Sequence, residues 1–137
     1  MAAKNQLTEQ AMQQAIVKFC KVKEANCRSL KALIHIPNGG QRPRAEAAIM
    51  KSLGVRAGVS DLFLPMRRTE SNCNFIGLWI ELKRPGGKPT KSQEEWMDLM
   101  RDMGHHACVK ESVKEALTTI AWYLGQNWDY ELSQITN

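Results

Sequence analysis

Asp61, Glu81 and Lys83 are the residues of this chain whose types and spacing could do chemistry. The segment Leu78-Trp79-Ile80-Glu81-Leu82-Lys83-Arg84 reads as a buried strand that carries an acid and a base. Side chains alternate faces along a strand, so Trp79, Glu81 and Lys83 share one face and Leu78, Ile80 and Leu82 the other. Twenty residues upstream, Gly58-Val59-Ser60-Asp61-Leu62-Phe63-Leu64 offers a second carboxylate at the start of another apolar run. Two strands presenting Asp61, Glu81 and Lys83 together would make a divalent-metal site with an ammonium beside it. Hard cations such as Mg²⁺ take oxygen ligands, often one or two carboxylates plus substrate phosphate oxygens. A lysine next to such a site can orient a water or stabilise the charge that builds on phosphorus. A plain salt bridge between Glu81 and Lys83 on an open strand face explains an isolated acid-x-lysine triplet equally well. The surroundings decide between the two.

The elements that must position these residues follow from periodicity and punctuation. Leu7 to Lys23 reads as a first helix, with Thr8 as N-cap and an apolar stripe of Met12, Ala15, Ile16 and Phe19. Leu33 to Ile36 is a short strand, ended by the turn signal Pro37-Asn38-Gly39-Gly40. Pro43 to Leu53 is a second helix, with Ala45, Ala48, Ile49 and Leu53 as its expected buried face and Gly54 beyond its end. Asp61 to Met66 and Phe75 to Lys83 form an expected antiparallel hairpin across the polar loop Arg67 to Asn74. Pro85-Gly86-Gly87-Lys88-Pro89 breaks the chain. Ser92 then caps a third helix to about Met103, with Glu95 in the capping-box position. Ala107 to Val109 is a strand, and Ser112 starts a last helix that ends at Gly125. This order predicts a small α/β domain, a mixed β-sheet flanked by helices. Residues 126–137 form a tail with no clear period, whose Trp128, Tyr130, Leu132 and Ile135 suit packing on the domain or an oligomer contact.

Bulk properties narrow the class. A chain of 137 residues suits one domain, and 43% hydrophobic with 24% charged residues is an ordinary globular balance. No apolar stretch reaches the length of a membrane span, and Met1 to Gln6 holds no apolar signal core, so a cytoplasmic location is expected. Cys20, Cys27, Cys73 and Cys108 make no Cys-x-x-Cys pair, and His35, His105 and His106 complete no zinc pattern. The net charge of +5 favours a polyanionic partner. Arg42, Arg44, Lys88 and Lys91 lie on expected loops or helix starts beside the pairs Gly39-Gly40 and Gly86-Gly87. Glycine lets backbone approach a phosphate closely, and basic side chains neutralise it, so these four are candidate nucleic-acid contacts. Asn38 could bond a phosphate as well, although a turn also explains it. Arg67 and Arg68 read equally as solvated loop residues.

Two more residues join the constellation. Gln93 and Trp96 sit one turn apart at the start of the third helix, where Gln93 could hold water or phosphate and Trp96 suits the core. Glu9 in the first helical turn has the helix dipole as an ordinary explanation. It matters to the site only if that helix crosses the sheet beside Asp61 and Glu81.

The ordered set Asn38-Gly39-Gly40, Gly58-Val59-Ser60-Asp61-Leu62, Ile80-Glu81-Leu82-Lys83-Arg84 and Ser92-Gln93-x-x-Trp96 resembles the virus-type replication-repair nuclease (VRR-NUC) domain of the PD-(D/E)xK nuclease superfamily. The resemblance runs from about Glu9 to about Leu124 and implies a restriction-endonuclease-like core within residues 1–125. It implies Asp61 and Glu81 as metal ligands, with Glu9 supporting the metal. Lys83 is the implied catalytic lysine, and Gln93 the helix glutamine that acts with it. The family usually has Pro before the metal-binding Asp, where this chain has Ser60. Further implied are Mg²⁺ or Mn²⁺, a DNA substrate of branched or junction type, and a homodimer of the stand-alone phage or bacterial kind. Metal-dependent endonuclease activity in replication, repair or recombination is thus the expected function. The competing expectations are a non-catalytic nucleic-acid-binding module that keeps the fold, and an interaction subunit of a replication or packaging machine.

Overall fold

The computed structural model describes residues 7–37, 42–68, 70 and 72–137. Asn38, a predicted phosphate contact, lies outside them. The elements are α1 (Glu9–Lys23), a 3-10 turn (Arg28–Ala32), β1 (Ile34–His35), α2 (Arg44–Ser52), β2 (Leu62–Leu64), β3 (Leu78–Leu82), α3 (Lys91–Asp102), β4 (His106–Lys110), α4 (Val113–Leu124) and α5 (Asp129–Ser133). The four strands form one sheet in the order β1-β2-β3-β4, antiparallel except for the parallel β3–β4 pair. A mixed sheet of this kind needs a crossover between its parallel strands, and α3 supplies it.

The alternation along β3 divides the core in two. Leu78, Ile80 and Leu82 join Leu62 and Leu64 beneath α1 and α4, where Met12, Ile16, Ala116, Leu117 and Ile120 are buried. Trp79 faces the other way and packs with Met97 and Met100 of α3 and Ala107 of β4. Phe63 stacks on Trp79 with ring centroids 4.0 Å apart. Helices thus cover both sheet faces, which is what a strand apolar on both sides demands.

The tail is not irregular throughout. It forms α5, and Trp128 and Leu132 are buried in the larger core, while Tyr130 stays exposed. Phe19 of α1 meets Trp128 edge-on at 5.2 Å.

Two helices differ from expectation. The N-cap of α3 is Thr90, not Ser92; its hydroxyl accepts from the Gln93 N–H, and Gln93 completes the capping box in place of Glu95. The predicted buried face of α2 is not buried: no residue of that helix is, and Ile49 is 60% and Leu53 78% exposed. Periodicity marks an apolar stripe but does not say that anything covers it.

Candidate active site at the β2–β3 edge

The β2–β3 register sets the two carboxylates together. Leu62 pairs with Ile80 and Phe63 with Trp79. One residue past the Leu62–Ile80 pair on each strand stand Asp61 and Glu81. The Oδ2 of Asp61 accepts the Leu82 N–H at 2.7 Å, which ties the carboxylate to β3. Its carbonyl oxygen accepts two bonds from the β1 edge, from the Ile36 N–H at 3.0 Å and from Nδ1 of His35 at 2.7 Å. Since a carbonyl only accepts, His35 carries its proton on Nδ1. Upstream, Gly58 has φ +87° and lies against the start of α3, where a Cβ would stand 2.2 Å from the Ser92 carbonyl oxygen. Only glycine meets both demands.

Glu81 is 2% exposed, not placed in the wet cleft that a strand-edge acid suggests. The Nζ of Lys83 lies 3.4 Å from its Oε1, while its Oε2 is buried without a hydrogen-bond partner. Burial pushes the Glu81 carboxyl up to about 7; the charges of Asp61 and Glu9 push the same way, and Lys83 opposes them. Asp61 is also raised, first by burial and next by Glu9, against the Leu82 N–H, His35 and Lys83. The Glu9 charge thus reaches Asp61 and Glu81, and α1 packs against β3.

Two neighbouring carboxylates, one of them buried, share a single ammonium, and the excess negative charge is costly unless a further cation joins it. The donor set fits a divalent cation on that ground: Glu81 Oε2 lacks a partner, and both acids hold protons too tightly for their type. Among the described residues no three Asp, Glu, His or Cys side chains converge as a closed metal cage. Asp61 and Glu81 would therefore supply two ligands, leaving positions for water and substrate oxygens, a pattern typical of Mg²⁺.

The remaining predicted residues divide. Gln93 spends its Oε1 on the Thr90 N–H at 2.8 Å, and no hydrogen bond joins it to Asp61, Glu81 or Lys83. Trp96 meets Trp79 edge-on at 5.3 Å. Arg42, Arg44, Lys88 and Lys91 are all exposed; Arg42 pairs with Glu46 at 3.0 Å, and Lys91 lies 3.9 Å from Glu95. Arg68 is neither solvated nor available to a substrate: it is 5% exposed, stacks on Trp122 at 4.1 Å and donates to the Cys73 carbonyl. Ser60, in the position of the family's proline, is fully buried with its hydroxyl unpartnered.

His35 was not legible as part of the site. Its bond spans 26 residues of sequence, and the only early signal is a histidine at the end of a strand that precedes a turn.

No curated protein matches the sequence. A solved structure described as a VRR_NUC domain protein is 25% identical, with a TM-score of 0.74 over 88% of this chain and 91% of that one. The family model for the VRR-NUC domain matches residues 3–114. Sequence and fold agree, and the chain belongs to the VRR-NUC domain family, a family of nucleases.

Proposed function

We propose that this chain is a metal-dependent DNA endonuclease that hydrolyses phosphodiester bonds and selects branched or junction DNA. The observation that carries the proposal is Glu81: a buried carboxylate with one oxygen unpartnered, a lysine ammonium 3.4 Å from the other, and Asp61 beside it. A structural ion pair in the core would instead satisfy all its atoms.

Asp61 and Glu81 would hold Mg²⁺ or Mn²⁺, and Glu9 would add negative potential from α1. When bound, the ion offsets the charge of the phosphodiester and makes a water more acidic. Lys83 keeps its ammonium at the Glu81 carboxylate, where it can orient the attacking water or stabilise the negative charge of the pentavalent transition state. The Leu82 N–H holds the Asp61 carboxylate in place for this. Arg42, Arg44, Lys88 and Lys91 would neutralise phosphates near the site. Gln93 acts first as an α3 cap, and its part in the chemistry is to fix where that helix begins.

A homodimer fits the exposed apolar side of the molecule. Ile49 and Leu53 project from α2, and Val55, Leu99 and Met103 line a groove of about 1230 Å³ between α2 and α3. A second copy covering this side would bury them, and a two-fold pair of sites suits a branched substrate.

The test is incubation with junction, flap, nicked and linear DNAs in Mg²⁺, Mn²⁺ or EDTA, beside light scattering. Metal-dependent cleavage, fastest on branched DNA and by a dimer, is the expected result. Binding without cleavage in either metal would replace the enzyme by a non-catalytic binding module.

A further inference from the structure

A second groove, of about 720 Å³, runs along the other side of the site between α1 and the β1 edge. It is lined by Gln13, Gln14, Val17, Lys18, Lys21, Val22 and His35. We infer that this groove carries the sugar-phosphate backbone of a nucleic-acid strand into the site, with Lys18 and Lys21 as its phosphate contacts. The inference rests on the reading of the site as one that acts on nucleic acid.

Three observations support it. First, each wall of the groove carries a residue next to the carboxylate site. Its His35 is the residue bonded to the Asp61 carbonyl. On the helical wall Gln13 stands one turn beyond Glu9, the α1 acid felt by Asp61 and Glu81. Second, the groove's charged groups are all basic. Gln14, Lys18 and Lys21 follow at helical spacing, so they form one stripe. The residues that line the groove include no acid. Among the described residues neither lysine has an ion-pair partner, whereas Lys23, two residues on, is paired with Glu131 at 2.8 Å. Unpaired ammonium groups and carboxamides are what a phosphate ester recognises. Third, the length fits. Glu9 to Lys21 spans about 18 Å of helix axis at 1.5 Å per residue. That equals about five base steps at 3.4 Å each. Val17 and the exposed Val22 add apolar surface to the groove's lining, against which sugar and base edges can lie without base-specific bonds.

The test compares the full chain with K18Q/K21Q and with the charge reversal K18E/K21E. Both sites are exposed and glutamine and glutamate are good helix formers, so the fold is kept. Circular dichroism checks this. Labelled duplex and junction DNAs of two unrelated sequences are titrated by fluorescence anisotropy in EDTA from 50 to 300 mM salt. Each lost phosphate contact on duplex DNA flattens the slope of log K against log salt by about 0.9. K18Q/K21Q is therefore expected to flatten it by about 1.8, equally for both sequences, and K18E/K21E to weaken binding further. Cleavage by the unchanged protein in Mg²⁺ is measured beside it. An unchanged slope in a protein that still cleaves overturns the groove assignment and leaves the nuclease reading standing. No binding of any nucleic acid by the unchanged protein overturns both. A slope unchanged by the lysine variants, with a synthetic amphipathic peptide bound in the groove, would assign it to a protein partner instead.

Discussion

Gly58 and Ser92 meet backbone to backbone: a Cβ on Gly58 would stand 2.2 Å from the Ser92 carbonyl oxygen. This contact joins the segment that delivers Asp61 to the first turn of α3. It also sets the chain at φ +87°, three residues before the carboxylate. The glycine thus belongs to the site without carrying any of its chemistry.

Gly58→Ala should destabilise the protein by on the order of 2–4 kcal/mol, because left-handed strain and a backbone clash act together. Gly86→Ala is the control. Gly86 has a similar φ of +83°, but its Cβ would meet nothing within 4 Å. Strain alone should cost it about 1 kcal/mol. Urea unfolding of both variants measures the difference. Equal effects would mean that α3 shifts freely to admit the methyl group.

Asp61→Asn and Glu81→Gln should each lower cleavage by at least about 100-fold in Mg²⁺ while the fold persists. An asparagine oxygen can still accept the Leu82 N–H, so the strand contact survives. Glutamine fills the volume of Glu81, which a change to alanine would leave empty beneath a buried position. Steady-state cleavage of a junction or duplex substrate is the measurement, and wild-type rates in either variant would remove that residue from the metal site.

Lys83→Met should retain divalent-cation binding and lose cleavage by on the order of 10²–10³-fold, since an ammonium can stabilise charge but cannot ligate the ion. Lys83→Arg should restore only part of the rate. A planar guanidinium is larger than the ammonium, and Lys83 is only 9% exposed. Calorimetric titration with Ca²⁺ separates binding from chemistry. Loss of cation binding in Lys83→Met would show that the lysine shapes the carboxylates instead.

The face alternation of Leu78 to Lys83 could be read directly, because a period of two is a local property. The expected hairpin is the antiparallel β2–β3 pair. What failed was non-local. Thr90-x-x-Gln93 and Ser92-x-x-Glu95 both satisfy a capping box in sequence, and only the folded chain chooses Thr90. Choosing it ties the Gln93 carbonyl oxygen to the Thr90 N–H. The stripe on α2 is real but uncovered. The burial of Glu81 is invisible to its type, since glutamate is almost never buried without a reason. Here the reason is its place on β3, a central strand between β2 and β4, with Lys83 and Asp61 beside it. His35 and Asp61 meet across 26 residues, and no spacing rule links them.

The last prediction is a pH dependence of stability in the metal-free protein. The folded state raises the Glu81 carboxyl from its ordinary 4.5 to about 7, so between these values the folded protein holds a proton that the unfolded chain releases. Stability from this group is therefore full below about pH 4.5 and is lost as pH rises through 7. Asp61 is raised as well and acts in the same direction. His105 and His106 act oppositely: burial lowers both below 6.5, so they destabilise as pH falls past that value. Glu81→Gln isolates the carboxylate from the histidines. In EDTA the variant should match the unchanged protein near pH 5 and exceed it at pH 8 by on the order of 2 kcal/mol. Ca²⁺ at pH 8 should stabilise the unchanged protein and leave Glu81→Gln almost unmoved, because only the charged pair binds the ion tightly. Thermal melts at both pH values, with and without Ca²⁺, read all four conditions. A Glu81→Gln protein less stable at pH 8 would mean that Lys83 alone compensates the buried carboxylate, and that the pair is structural.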